Sequence, residues 1–134
     1  MKAIDTNVIV RFLIKDDNQQ AEAVYEMFKQ AEDNQDELYI PILVILETLW
    51  VLESVYEITR EEILNAISAL VSMPVFKFEA LPVMQRFLLS ARGNKVDLSD
   101  LLIACSAKFS GCDTVLTFDK KASQFEFFEF IHPR

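Results

Sequence analysis

Lys2-Ala3-Ile4-Asp5-Thr6-Asn7-Val8-Ile9-Val10 opens the chain and sets its architecture. Lys2 to Ile4 reads as a short buried strand. Asp5 ends it, and a short helix follows over 7–14. A strand that stops at a carboxylate and turns straight into a helix is the opening unit of an α/β fold, in which ligands sit beyond the carboxyl ends of the strands.

The same alternation continues outward. Asn18 to Glu32 places Ala21, Val24, Phe28 and Ala31 on one helical face. Leu38 to Ile40 is a second short strand. Pro41 opens a strongly apolar helix to about Val55, a position that suits its fixed φ. Thr59-Arg60-Glu61-Glu62 has the form of a capping box before the next helix. Val75 to Phe78 is a third strand, and Pro82 to Arg92 a helix stopped by Gly93. Asp97 is the N-cap of a helix from Leu98 to about Ser110. Thr114 to Thr117 and Phe127 to Ile131 complete the strands. The expectation is one α/β domain over 1–134, a mainly parallel central sheet of four to five strands flanked by helices.

Four acids interrupt apolar sequence: Asp5, Glu47 within Ile42-Leu43-Val44-Ile45-Leu46-Glu47-Thr48-Leu49-Trp50, Asp100 before Leu101-Leu102-Ile103-Ala104, and Asp119 after Val115-Leu116-Thr117-Phe118. An ionised carboxylate in apolar surroundings is costly unless paired. Asp5 and Asp100 have ordinary readings at helix N-termini, and Asp119 as a turn residue. Glu47 has neither; a buried salt bridge would be its structural explanation. Carboxylates about 5 Å apart repel by roughly 3 kcal/mol per pair at an effective dielectric of about 20. A hard divalent cation, Mg²⁺ or Mn²⁺, turns that repulsion into binding energy.

Composition narrows the function further. The chain has 134 residues, 51% of them hydrophobic, with a net charge of −8. That is enough apolar matter for one core, and it argues against a non-specific nucleic-acid coat, which needs a broad basic face. No apolar run spans a membrane and the N-terminus lacks a signal-peptide layout, so a cytoplasmic protein is expected. His132 is the one histidine, which disfavours a His-rich metal centre or a Ser-His-Asp hydrolase. Cys105 and Cys112 read as small buried hydrophobes. Arg11, Lys120 and Lys121 are candidate phosphate contacts, each with a surface-charge alternative. Phe125, Phe127, Phe128 and Phe130 read as core or dimer packing, or as a stacking surface for bases. Leu49 and Trp50 belong to the core or a subunit contact.

In this order and spacing, Ile4-Asp5-Thr6-Asn7-Val8, Glu47-Thr48-Leu49, Asp97-Leu98-Ser99-Asp100-Leu101-Leu102-Ile103-Ala104 and Val115-Leu116-Thr117-Phe118-Asp119 resemble the four motifs of PIN-domain ribonucleases. The likeness is to the VapC-type toxins of toxin–antitoxin pairs in particular, and it runs nearly the whole chain. It implies a metal-dependent endoribonuclease acting on structured RNA, with tRNA one such class. Asp5, Glu47, Asp100 and Asp119 would be its catalytic, metal-holding carboxylates. Thr6, Asn7, Thr117 and Asp97 would support them. The resemblance also implies a homodimer and a cognate basic antitoxin. Two rival readings are a catalytically inactive PIN-like binding module and an aspartyl-phosphate phosphotransfer enzyme. Asp5 suits the latter, but Asn7 stands where a dehalogenase-type enzyme usually has a second aspartate.

Overall fold

In the computed structural model, which describes all residues 1–134, helices and short parallel strands alternate. Two compact units divide the chain, Met1–Leu81 and Pro82–Arg134. Every strand pairing is parallel, as the alternating pattern predicts. The five strands form two hydrogen-bonded sheets, one of three strands and one of two.

In the first unit, β1 (Lys2–Ala3), β2 (Leu38–Ile40) and β3 (Phe76–Phe78) lie in that order, with Lys2 opposite Leu38 and Leu38 opposite Phe76. α1 (Thr6–Leu13), α2 (Asn18–Asp33), α3 (Ile42–Ser54) and α4 (Arg60–Val71) make the connections. Each helix starts where local chemistry satisfies its free N–H groups. Asp17 accepts from Gln20 N, and Thr59 accepts from Glu62 N, as the capping-box spacing predicts. Pro41 gives α3 no side-chain cap. Glu79, just past β3, supplies one by accepting from Ile42 N at 3.0 Å. Phe12, Phe28, Phe76 and Phe78 form a run of edge-to-face contacts with centroids 4.9, 5.1 and 6.4 Å apart, which pins α1 and α2 to the strands. Ile9, Ile40, Ile45, Ile63 and Ile67 are fully buried among them.

In the second unit, α5 (Leu81–Ala91) and α6 (Leu98–Phe109) precede β4 (Val115–Thr117), a short 3₁₀ turn (Ala122–Gln124) and β5 (Phe128–Phe130). Two endings differ in mechanism. Gly93 was expected to stop α5 by a left-handed turn, but its φ is not positive. Asn94 does the work instead: its amide donates to Ser90 O at 2.9 Å, and its side-chain oxygen accepts from Val96 N. Gly111, at φ 91°, ends α6. Gly111 N bonds Lys108 O and Cys112 N bonds Ala107 O, the paired pattern of a left-handed C-terminal cap. Cys112 is therefore carried into solvent, whereas Cys105 stays buried on α6; the expectation that both thiols are buried fails at Cys112. Ala104, Ala122 and Phe128 form the small core on which Val115, Phe125 and Phe127 pack. No helix is long and apolar enough to cross a membrane.

Candidate active site

The four acids divide between the two units. In the first, Asp5 follows β1 and caps α1, its Oδ1 accepting from Thr6 N at 2.8 Å. The carboxylate is exposed, so the capping role leaves it free to take further partners. Thr6 beside it is 5% exposed, and its hydroxyl has no hydrogen-bond partner. Buried hydroxyls without a partner are uncommon and call for an explanation such as a bound water or ion. Asn7 is exposed next to it.

Glu47 was expected in apolar surroundings. It lies instead on the exposed face of α3. Helical spacing explains the difference: Leu43, Glu47 and Trp50 fall at i, i+4 and i+7 and share one face. Leu43 is 73% and Trp50 58% exposed. The opposite face, with Ile45, Thr48, Leu49 and Leu52, fills the core. Thr48 is fully buried and donates to Val44 O at 2.7 Å within its own helix. Glu79 is a further carboxylate at the C-terminal edge of the same sheet, which the motif reading passed over. It caps α3; desolvation first, and then the Glu79 charge, push the Tyr39 phenol up.

In the second unit, α6 and the loop after β4 bring Asp97, Asp100 and Asp119 to one cavity of about 460 Å³. Asp97 is the N-cap of α6 and accepts from Asp100 N at 3.2 Å, which fixes the start of the helix and the position of Asp100 on it. Asp119 Oδ1 accepts from Lys121 N and Ala122 N, holding the turn after β4. Thr117 Oγ1 accepts from Asp119 N at 3.0 Å. Thr117 and Asp119 are thus one hydrogen-bonded device at a strand end. Asp100 is the acid of the four that is drawn inward. Its pKa is raised by burial first, then by the charges of Asp97 and Asp119. Lys95, Lys121, Asn94, Gln124 and Phe125 also line it. Phe125 was singled out in the sequence as core or stacking surface; Asn94, Lys95 and Gln124 were missed because no motif contains them, and what places them there is the Asn94 turn after α5 and the 3₁₀ turn after β4.

The candidate phosphate cations are placed differently. Arg11 Nε donates to Gln20 at 2.6 Å, and its Nη1 donates to Tyr56 and Asp16. Tyr56 in turn donates to Asp16 at 3.1 Å. The Tyr56 bond and then the neighbouring acids hold the guanidinium's pKa above its ordinary value. This network ties the end of α1 to the start of α2 and the chain after α3. Lys120 is exposed, 6.0 Å from the centroid of the Phe130 ring. Its neighbour Lys121 faces the acidic cavity.

No three His, Cys, Asp or Glu side chains meet as a preformed metal cage. Mg²⁺ does not demand one, because it binds through one or two carboxylates and keeps several waters. Within Pro82–Arg134, all-oxygen donors and an inward carboxylate repelled by its neighbours fit such a cation.

The PIN domain family model matches residues 2–127. The chain therefore belongs to the PIN-domain family. It is similar to a protein of Aquifex aeolicus (strain VF5) named VapC ribonuclease. The two are 24% identical over 127 residues, which is 95% of this chain and 93% of the relative.

Proposed function

We propose that this protein is an endoribonuclease that hydrolyses phosphodiester bonds in RNA with Mg²⁺ or Mn²⁺. The observation that carries the reading is Asp100, drawn inward and facing like charge from Asp97 and Asp119 in one cavity. A carboxyl in a cleft whose pKa is raised by desolvation and by specific neighbouring charges is a functional-site candidate with a physical rationale. Family membership gives the chemistry, and the relative's name supports ribonuclease activity over other phosphodiester cleavage.

In this reading Asp100 and Asp119 hold the cation, and the motifs add Asp5 and Glu47 to the set. When bound, the metal lowers the pKa of a water for attack and offsets charge on the phosphate oxygens. The protein's part is positioning. Asp97 fixes Asp100 through the helix cap, and Thr117 fixes Asp119 through its backbone N–H. Thr6, with its unpartnered hydroxyl, and Asn7 orient a water or ligand beside Asp5. Lys121 rather than Arg11 is the cation available to a phosphate in the cavity, since Arg11 is committed to three partners.

The substrate in this account is structured RNA, with tRNA one such class. The setting is a cytoplasmic toxin–antitoxin pair with a basic antitoxin, and the toxin is a homodimer. The net charge of −8 suits a basic partner. A partner seated over Glu47 would also cover Leu43 and Trp50, an exposed apolar pair that otherwise has no role. Incubation with total tRNA and Mg²⁺ or Mn²⁺ tests the enzyme. Discrete fragments that disappear with EDTA and with Asp5→Asn are expected. Cleavage that persists in both would refute the assignment.

A further inference from the structure

A second cavity, of about 250 Å³, lies wholly within Pro82–Arg134, lined by α5, α6 and the chain entering β5. Its chemistry is unlike that of the acidic one. Leu101, Ala104, Cys105 and Phe127 give it apolar walls, and Arg86 and Lys108 add two cations. No acid lines it, although the chain carries 21 acids against 13 lysines and arginines. Burial pushes the Cys105 thiol up, while Arg86 and Lys108 pull it down, so both charges act on the interior wall. Both side chains are exposed.

Phe125 lines this cavity and the acidic one alike. The ring packs on the core of Ala104, Ala122 and Phe128, its centroid 6.2 Å from that of Phe128. An acidic cavity and a cationic, apolar cavity thus share one aromatic partition.

A ligand that matches the second cavity carries negative charge beside a flat apolar face. A nucleotide does so when its base is free; in a duplex the base faces are stacked away. We propose that this cavity is a subsite for an unpaired nucleotide flanking the scissile phosphate, with its base against Phe125 and its phosphate held by Arg86 and Lys108. The inference rests on the ribonuclease reading of the acidic cavity.

The test uses full-length protein carrying Asp5→Asn, which is expected to hold RNA uncut. A fluorescein-labelled single-stranded oligouridylate is titrated in Mg²⁺ across a salt series, with and without Arg86→Gln and Lys108→Gln. Each phosphate contact on a single strand contributes roughly 0.7 to the slope of log affinity against log salt. Losing two lowers the slope by about 1.4. Phe125→Leu weakens binding about tenfold and Phe125→Trp restores it, because stacking needs a ring. An unchanged slope and affinity in the double variant, shown to be folded by circular dichroism, would overturn the subsite. If the wild-type protein cleaves RNA and the double variant does so with the same KM, the subsite fails and the ribonuclease stands. If the wild type cuts nothing, yet the slope falls in the double variant, the cavity binds RNA but borders no scissile phosphate, and the subsite as proposed is overturned together with the ribonuclease.

Discussion

Asp100 sits where its neutral form is favoured, by burial first and then by Asp97 and Asp119. A carboxyl whose folded pKa lies above its ordinary 3.8 binds its proton more tightly in the folded state. Its contribution to stability is therefore whole below 3.8 and is lost as pH rises through the raised value. At neutral pH, without metal, the ionised Asp100 costs stability. Asp100→Asn should then melt above wild type in EDTA at pH 7, and the gap should close as pH falls below 3.8. The same substitution should cut the cleavage rate by about a hundredfold or more, since metal-assisted charge stabilisation is worth several kcal/mol. Differential scanning fluorimetry across pH, beside a cleavage assay, checks both. A variant less stable than wild type at pH 7 in EDTA would mean that the acid serves the fold. Asp100 was legible in the sequence as a candidate, since an aspartate three residues after a capping aspartate and ahead of an apolar run has two uses, at a helix N-terminus or on a metal. Its inward placement was not, because that depends on the cavity formed with the turn after β4.

The elements were legible because their punctuation is local. Asp17 and Thr59 start helices through bonds to residues three positions on, and short apolar runs between helices gave the strands. What the pattern could not give was long-range. Glu79 caps α3 from 37 residues away, and Tyr56 reaches Arg11 across 45. Glu47 looked buried because a run of apolar letters hides which of them face outward. Two predictions belong to this scale. Gly111→Ala should cost about 1 kcal/mol in urea unfolding: a methyl group meets nothing there, but φ 91° disfavours any side chain. No loss would mean that the turn relaxes. Arg11→Ala should lower the melting temperature and leave KM for RNA unchanged, because the side chain joins α1, α2 and the chain after α3. A raised KM with unchanged melting temperature would restore its role as a phosphate contact.

Across the whole molecule, a net charge of −8 repels RNA at long range, so affinity has to come from cations placed locally and from metal. Lys95 and Lys121 in the acidic cavity and Arg86 and Lys108 in its neighbour are such cations. RNA binding by this protein should accordingly weaken on chelation more sharply than binding by a basic nuclease. A homodimer is what the family resemblance implies, and light scattering on purified protein should return twice the mass of 15.4 kDa; a monomer at micromolar concentration would contradict it. The most direct measurement of the central claim is the cleavage rate of RNA against Mn²⁺ concentration for wild type, Asp5→Asn and Asp100→Asn. The account predicts saturable activation in the wild type, no rate in EDTA and no activation in either variant. A full rate in EDTA, or normal activation in both variants, would contradict it.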